Sequence, residues 1–197
     1  SFGKQLAKQA ETTLVVLTIN ADDTSDLSDY GADKILKIKD SRLDNFNAKA
    51  YADCIQQACL RESANIIAVD STNNGLYLAP ILAVKLEAGY ASNVIDFPSS
   101  MEPFMVKRKA FSSKGYNFSE IQTANKLLGL AKNSIGLIEE KVASVEEGFT
   151  PELNDNDFQI TSSSIDKSSG TVTIADADIV VSGGRGLKGP ENWGMIE

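Results

Sequence analysis

The 197-residue sequence contains no histidine. This absence excludes Ser-His-Asp and Cys-His catalysis, histidine-ligated metals and the usual proton carrier at neutral pH. Aspartate, glutamate, lysine or tyrosine could still carry out acid–base chemistry, but each would need a strongly shifted pKa. The composition therefore offers little support for an enzyme.

Thiols and long apolar runs are scarce as well. Cys54 and Cys59 are the only cysteines. On a helix they would lie about 140° apart around the axis, so they cannot share a face, and a redox or metal pair favours the tighter C-x-x-C spacing. We interpret both as reduced thiols on a cytosolic helix. No apolar run approaches the length of a membrane span, so no membrane insertion is predicted.

Positive charge is sparse and scattered. The 27 acidic residues outnumber 19 basic ones, which gives a formal net charge of −8. The densest basic stretch, Lys107-Arg108-Lys109, has three residues and lies within a strand-like run. Nucleic acid is bound by a concentrated basic surface that releases counterions. The sequence therefore predicts no nucleic-acid partner.

Apolar runs alternate with helical patterns in the first half of the chain. We predict helices at residues 1–10, 24–31, 47–61 and 74–88, and strands at 13–19, 34–38 and 65–69. The continuous apolar segments 14–17 and 66–69 favour central strands that are covered on both faces. Strands that alternate with helices indicate right-handed crossovers and a mostly parallel sheet.

Beyond residue 89 the pattern changes to short strands in series. We predict strands at 91–97, 105–111, 116–123 and 141–145, a polar linker arm at 149–170 that carries one strand at 158–165, and a new strand at 178–181. The predicted fold class is α/β, a three-layer sandwich with a mostly parallel sheet and antiparallel additions at one edge. The predicted domains are 1–175, with its first strand missing, and 176–197, the start of a truncated second domain.

A glycine-rich turn near the end of the chain is the sharpest local motif. Residues 184–189 read GRGLKG and satisfy G-x-G-x-x-G between a predicted strand and a helix start. Glycines allow the backbone to approach a phosphate, and Arg185 supplies positive charge. We predict that Gly184, Arg185 and Gly186 contact a cofactor phosphate, although glycine-rich turns after strands are also common without a ligand.

The loop at residues 71–75 is the second candidate. It follows the predicted buried strand 65–69 and leads into a helix, the position at which open α/β sheets bind ligands. In the structural alternative, Asn73 and Asn74 only cap the helix, while Leu78, Leu82 and Leu86 pack on the sheet. The sequence alone leaves both interpretations open.

Three separated motifs resemble the electron-transfer flavoprotein alpha family. The first is the helix with Gly75, Leu78-Ala79-Pro80, Leu82-Ala83 and Leu86. The second is the strand pair at 106–112 and 114–116. The third, at 179–188 with Glu191-Asn192 after it, looks like the opening of that family's FAD domain. The order of the predicted elements upstream is compatible with this resemblance.

The resemblance implies a nucleotide-binding-like fold of the adenine nucleotide alpha hydrolase-like type. It implies an electron carrier rather than an enzyme: an alpha subunit that pairs with a beta subunit and holds one FAD. Such a pair passes electrons from dehydrogenases, for example the acyl-CoA dehydrogenases of fatty acid β-oxidation, toward a quinone reductase. Its location would be the bacterial cytoplasm or the mitochondrial matrix.

The portion present here would serve mainly as scaffold and beta-subunit interface. Because the family's first strand and most of its FAD domain are absent, we expect this chain not to retain FAD. Apolar residues at 91–97 and 105–116 predict a partner surface or self-association, unless they fill the core beneath the sheet. The alternative function is a small-ligand, nucleotide-binding module of the same α/β fold.

Overall fold

The fold is described from a computed structural model of the chain. It describes residues 1–160, 174, 177 and 179–196. The chain divides into two units, Ser1–Ser163 and Ser164–Glu197. Residues 175 and 176, between which the predicted domain boundary falls, lie outside the described residues.

The first unit contains three α-helices and nine strands within its described residues. The helices are α1 (Phe2–Gln9), α2 (Ala48–Glu62) and α3 (Asn73–Lys85). The strands are β1 (Val15–Ile19), β2 (Lys34–Ile38), β3 (Ile66–Asp70), β4 (Ala88–Val94), β5 (Ser100–Met101), β6 (Phe104–Ala110), β7 (Gly115–Glu120), β8 (Asn125–Leu130) and β9 (Val145–Gly148). Short 3₁₀ turns at Ser25–Ser28, Ser41–Leu43 and Asp155–Phe158 complete the unit.

Two sheets replace the single sheet that the sequence predicted. The first is parallel, with strand order β1-β2-β9. The second has strand order β3-β8-β4-β6-β5, with β7 paired to β6. Its β3-β8-β4 part is parallel, whereas β5, β6 and β7 are antiparallel. The α/β class and the antiparallel additions at one edge are therefore confirmed.

Helices cover both faces of the six-stranded sheet. Leu127 and Leu128 are neighbours in β8, so their side chains point to opposite faces. Leu128 packs with Phe2 and Leu6 of α1, whereas Leu127 packs with buried residues of α2 and α3. The α1 helix therefore forms one outer layer and the α2–α3 pair the other, which gives the predicted three-layer arrangement.

The prediction that 14–17 and 66–69 form central strands was wrong. Both β1 and β3 are the terminal strands of their sheets. A continuous apolar run indicates that helices cover both faces of a strand, but it does not indicate a partner on both edges. The strand at the centre of the parallel part, β8, was absent from the sequence prediction.

Other boundaries differ by a few residues. The α3 helix ends at Lys85 rather than at residue 88, and Gly89 lies inside β4. The last strand of the unit is β9 at Val145–Gly148 rather than at 141–145. Of the strand predicted at 158–165, residues 158–160 form a 3₁₀ turn and a bend, and 161–165 lie outside the described residues.

The second unit contains two 3₁₀ helices, Arg185–Leu187 and Pro190–Met195. Residues 179–181 of the strand predicted at 178–181 are irregular, and Ile179 is 83% exposed. A strand needs a partner to satisfy its backbone hydrogen bonds, and no partner strand is found among the described residues of this unit. Pro190 occupies the first position of the second of these helices and Glu191 lies in its first turn.

Candidate functional site

The glycine-rich turn presents Arg185 to solvent. Gly184 precedes the short 3₁₀ helix that Arg185 begins, and Gly184, Arg185 and Gly186 are all exposed. Within the described part of the chain, the Arg185 guanidinium has no acidic partner. The cation is thus available to an anionic ligand.

Open space surrounds the same turn. A Cβ atom added at Gly184 or Gly186 would meet no atom within 4 Å. At Gly183, in contrast, an added Cβ atom would meet the side chains of Leu187 and Trp193. Two uncovered glycine backbones beside a free guanidinium are a donor set that suits a phosphate group. The residues present therefore fit the phosphate end of a cofactor such as FAD.

In the loop at residues 71–75, the Thr72 side chain bonds the start of α3. The Thr72 hydroxyl accepts a hydrogen bond from the Gly75 N–H at 3.3 Å and donates one to the Asp70 carboxylate at 2.7 Å. The structural alternative is thus favoured, although the cap is Thr72 rather than Asn73 or Asn74. The leucines assigned to packing are buried: Leu78, Leu82 and Leu86.

The Asp70 carboxylate already complements the positive end of α3. It lies so close to the first turn that a Cβ atom at Gly75 would sit 2.6 Å from Asp70 Oδ1. A second anion, such as a nucleotide phosphate, would be repelled by this carboxylate. The role of Asp70 could have been anticipated from its place at the strand end, five residues before the glycine.

Groups suited to redox or metal chemistry are not assembled in the described part of the chain. No cluster of His, Cys, Asp or Glu there could hold a metal ion. Cys54 and Cys59 are free and buried, and burial raises the pKa of each thiol to about 11. Both are therefore protonated and unreactive at neutral pH. None of the described helices is long and apolar enough to cross a membrane.

The predicted apolar surface divides into core and exposed parts. Val94 and Phe104 are buried, and Phe97 packs against the same core cluster. For these residues the core-filling alternative is correct. Phe111 and Tyr116, at the tip of the β6–β7 hairpin, are 82% and 65% exposed.

Phe118 extends this exposed surface and was missed by the sequence prediction. It is 58% exposed and lies two residues after Tyr116, on the same face of β7. Lys107 Nζ lies 4.6 Å from the Tyr116 ring centroid, and Lys114 Nζ lies 5.8 Å from that of Phe111. We call these five side chains the hairpin patch, a surface of three aromatic rings and two cations.

A family model described as "Electron transfer flavoprotein domain" matches residues 1–152. The chain belongs to this family. The match covers the whole of both sheets and all three helices, and it confirms the resemblance drawn from the motifs. An adenine nucleotide alpha hydrolase-like fold follows from this membership.

Curated relatives of the family extend the match toward the end of the chain. Electron transfer flavoprotein subunit alpha of Bacillus subtilis is 24% identical over 99% of this chain and 61% of its own length. The subunit alpha of Syntrophomonas wolfei is 28% identical over 85% of this chain and 53% of its own length. Protein FixB of Clostridium saccharobutylicum is 26% identical over 98% and 60%. The chain therefore spans a little over half the length of these relatives.

Proposed function

We propose that this chain forms part of the alpha subunit of an FAD-containing electron-transfer flavoprotein. Such a heterodimer passes electrons from dehydrogenases, such as acyl-CoA dehydrogenases, toward a quinone reductase. The observation that carries the proposal is the family match over 1–152, joined to alpha-subunit relatives over nearly the whole chain. The proposed location is the bacterial cytoplasm or the mitochondrial matrix, where Cys54 and Cys59 would stay reduced.

In this proposal the first unit is a scaffold and a beta-subunit interface. Its described residues hold no metal cluster, and its two thiols are inert, which suits a supporting role. The hairpin patch is our candidate contact surface, because exposed aromatic rings beside cations are typical of interface anchors. The partner face should then be apolar at its centre and acidic at its rim.

In the second unit, Arg185 would pair with a flavin phosphate, while the backbones of Gly184 and Gly186 approach it. FAD supplies the redox chemistry when bound, so the protein is asked only to bind and orient it. The three residues lie on a short exposed turn, and the chain spans only a little over half the length of its curated relatives. We therefore propose that this chain alone does not retain FAD.

The alternative, a nucleotide-binding module, would place a ligand at the 71–75 loop. Two observations count against it. The Asp70 carboxylate occupies the start of α3. In addition, residues 64–84 contain no lysine or arginine. A phosphate at this loop would meet a negative charge, and this segment of the chain supplies no cation.

A pull-down of this chain with a beta subunit tests the interface. Tyr116→Ala combined with Phe118→Ala should weaken capture at least tenfold, because truncated interface anchors cost more than about 1.4 kcal/mol. Lys107→Glu should weaken it as well, with little change in melting temperature. Tyr77→Ala, at an equally exposed ring on α3, is the matched control. Equal capture of all variants would contradict the assignment.

Flavin content tests the second unit. In a complete alpha–beta pair, Arg185→Ala should lose FAD during extensive dialysis, whereas Arg185→Lys should retain more of it because the charge is kept. The absorbance ratio of flavin to protein measures the loss. Flavin content that does not change in Arg185→Ala would exclude the proposed phosphate contact.

A further inference from the structure

The α3 helix is apolar on two opposite faces. Its inner face packs against the six-stranded sheet and α2 through Leu78, Ala79 and Leu82. Its outer face presents four exposed apolar residues to solvent: Leu76, Tyr77, Pro80 and Val84. We call these four residues the α3 stripe. A helix that is apolar all round is normally buried on every side, so the exposed stripe requires an explanation.

The α3 stripe forms one continuous surface. Leu76, Pro80 and Val84 follow one another at intervals of four residues along the helix, and this spacing places them on the same face. Tyr77 lies beside them, and the four residues together occupy an arc of about 100° on the side opposite the buried residues. Tyr77 is 74% exposed and Val84 is 79% exposed. Single exposed apolar residues are ordinary, whereas a contiguous set marks an interaction site.

The α3 stripe carries no charge. Residues 71–84 contain no acidic or basic side chain. The charged residues at the two ends of this segment have partners within the first unit: the Asp70 carboxylate accepts from the Thr72 hydroxyl, and Lys85 pairs with Asp53 of α2. An acidic or basic partner would find no counter-charge on the stripe. The complementary surface must therefore be apolar and uncharged as well.

The α3 stripe of a second copy is such a surface, and the two stripes also fit each other in size. When two copies of α3 pack antiparallel about a twofold axis near Pro80, residue 77 of one copy lies opposite residue 84 of the other. The large ring of Tyr77 then covers the smaller side chain of Val84, and this contact occurs twice in the pair. Pro80, close to the axis, is compact enough to let the two helices approach.

The area of the α3 stripe suits a reversible pair. An exposed apolar side chain contributes about 100 Å², so the four residues and the exposed Asn73 beside them supply roughly 500 Å² per copy. The pair would then bury about 1,000 Å² in total, at the lower end of the range for specific interfaces. We therefore expect a dissociation constant in the micromolar range.

We propose that the α3 stripe is the contact surface of a symmetric pair formed with a second copy of this chain. The pair does not depend on the proposed function, because the stripe shares no residue with the hairpin patch and needs neither FAD nor a beta subunit. Salt should act oppositely on the two surfaces. Each copy has a formal net charge of −8, so salt should strengthen the pair by screening repulsion, whereas it should weaken a contact between the cationic hairpin patch and an acidic rim.

Sedimentation equilibrium of the chain without any partner tests the proposal. Tyr77→Lys and Val84→Glu should each weaken pairing at least tenfold, because a charge then enters an apolar contact. An equimolar mixture of the two variants should pair again, since the introduced lysine faces the introduced glutamate at one contact and the other contact is unchanged. Both positions are exposed, so the melting temperatures should stay near that of the parent. Leu137→Glu, at a leucine of similar exposure outside α3, is the matched control.

The parent chain should form dimers whose dissociation constant falls as salt is raised. A parent chain that stays monomeric at about 0.5 mM would overturn the proposal, as would a mixture of the two variants that does not pair. Equal weakening by Leu137→Glu would show non-specific association and would overturn it too. Loss of pairing in Tyr116→Ala combined with Phe118→Ala would assign self-association to the hairpin patch instead.

The beta subunit is the other candidate occupant of the α3 stripe. Loss of beta-subunit capture in Val84→Glu, with self-association unchanged, would assign the stripe to that partner and overturn the symmetric pair. Because capture and self-association are measured in separate experiments, failure of the pair leaves the proposed function intact, and failure of beta-subunit capture at the hairpin patch leaves the pair intact.

Discussion

Gly75 is the position at which the packing of α3 on β3 is most sensitive to a single methyl group. Its Cβ in Gly75→Ala would sit 2.6 Å from Asp70 Oδ1 and closer still to the Asp70 carbonyl oxygen. The carbonyl cannot withdraw easily, because Asp70 ends β3 and is paired with Leu130 of β8. The carboxylate is held in turn by the Thr72 hydroxyl.

Two effects of opposite sign decide the result of Gly75→Ala. Alanine gains up to about 1 kcal/mol over glycine in a helix, whereas overpacking costs about 1–3 kcal/mol. Because the clash involves backbone, we expect the upper part of that range and a net loss of about 1–2 kcal/mol. For a chain of this length, the melting temperature should then fall by about 2–8 °C.

Thermal unfolding followed by circular dichroism measures this change. Gly115→Ala is the matched control, because a Cβ atom there meets nothing within 4 Å, and its melting temperature should stay within about 2 °C of the parent. A Gly75→Ala variant that melts at or above the parent would refute the close approach of Asp70 to α3.

Three further predictions concern charge and ligand binding. Burial alone raises the pKa of Asp33, but the hydrogen bonds from Lys4 and from the Leu14 N–H lower it overall. The stability that the Asp33 carboxylate contributes should therefore be lost as pH falls below about 3.8. Asp33→Asn should lower the free energy of unfolding by about 1–2 kcal/mol, and the exposed control Asp22→Asn should change it by nothing measurable. The raised pKa of Cys54 and Cys59 means that unfolded chains release thiol protons first, so stability should fall as pH rises from 9 toward 11. A double replacement by alanine should reduce that slope but not remove it, because burial also raises the pKa of Tyr51 and Tyr90. Calorimetric titration with AMP or ATP should give no binding, because Asp70 opposes a phosphate at the 71–75 loop; micromolar affinity would favour the nucleotide-binding module.

The sequence predicted the three α-helices and the edge additions well, because these depend on local pattern. The helix predicted at 24–31 was wrong, since only a 3₁₀ turn forms there, at Ser25–Ser28. The α2 helix was placed within a residue of its observed bounds, since Asn47 is a strong capping residue and accepts bonds from the N–H groups of Lys49 and Ala50. The pairing of strands depends on distant segments, so it could not be predicted locally. For this reason β1 and β3 were placed at the centre of a sheet whose edges they form.

The missed strand β8 illustrates a second limit. Its sequence, NKLLGL, has no alternation and contains Gly129, which weakens strand patterns. A Cβ atom at Gly129 would sit 2.8 Å from the Tyr90 hydroxyl, so a larger residue there would have to displace that side chain. A short apolar run of this kind does not distinguish a strand from other buried structure.

For the candidate site, residue types were predictable and their surroundings were not. Arg185 was identified from its neighbouring glycines, but the strand expected before it depends on a partner that the described residues do not supply. Phe118 was overlooked because a single aromatic residue in a strand is ordinary. Its exposure became evident only from the pairing of β7 with β6.

The central position of β8 has a consequence for synthesis on the ribosome. β3 ends at Asp70 and β4 at Val94, yet the strand that joins them ends only at Leu130. At about 5–20 residues per second, the β4 edge waits about 2–7 seconds for its partner. During that interval the nascent chain exposes two unpaired strand edges, which are ready substrates for chaperones or for aggregation. Folding of the six-stranded sheet is therefore timed by the emergence of a single late strand.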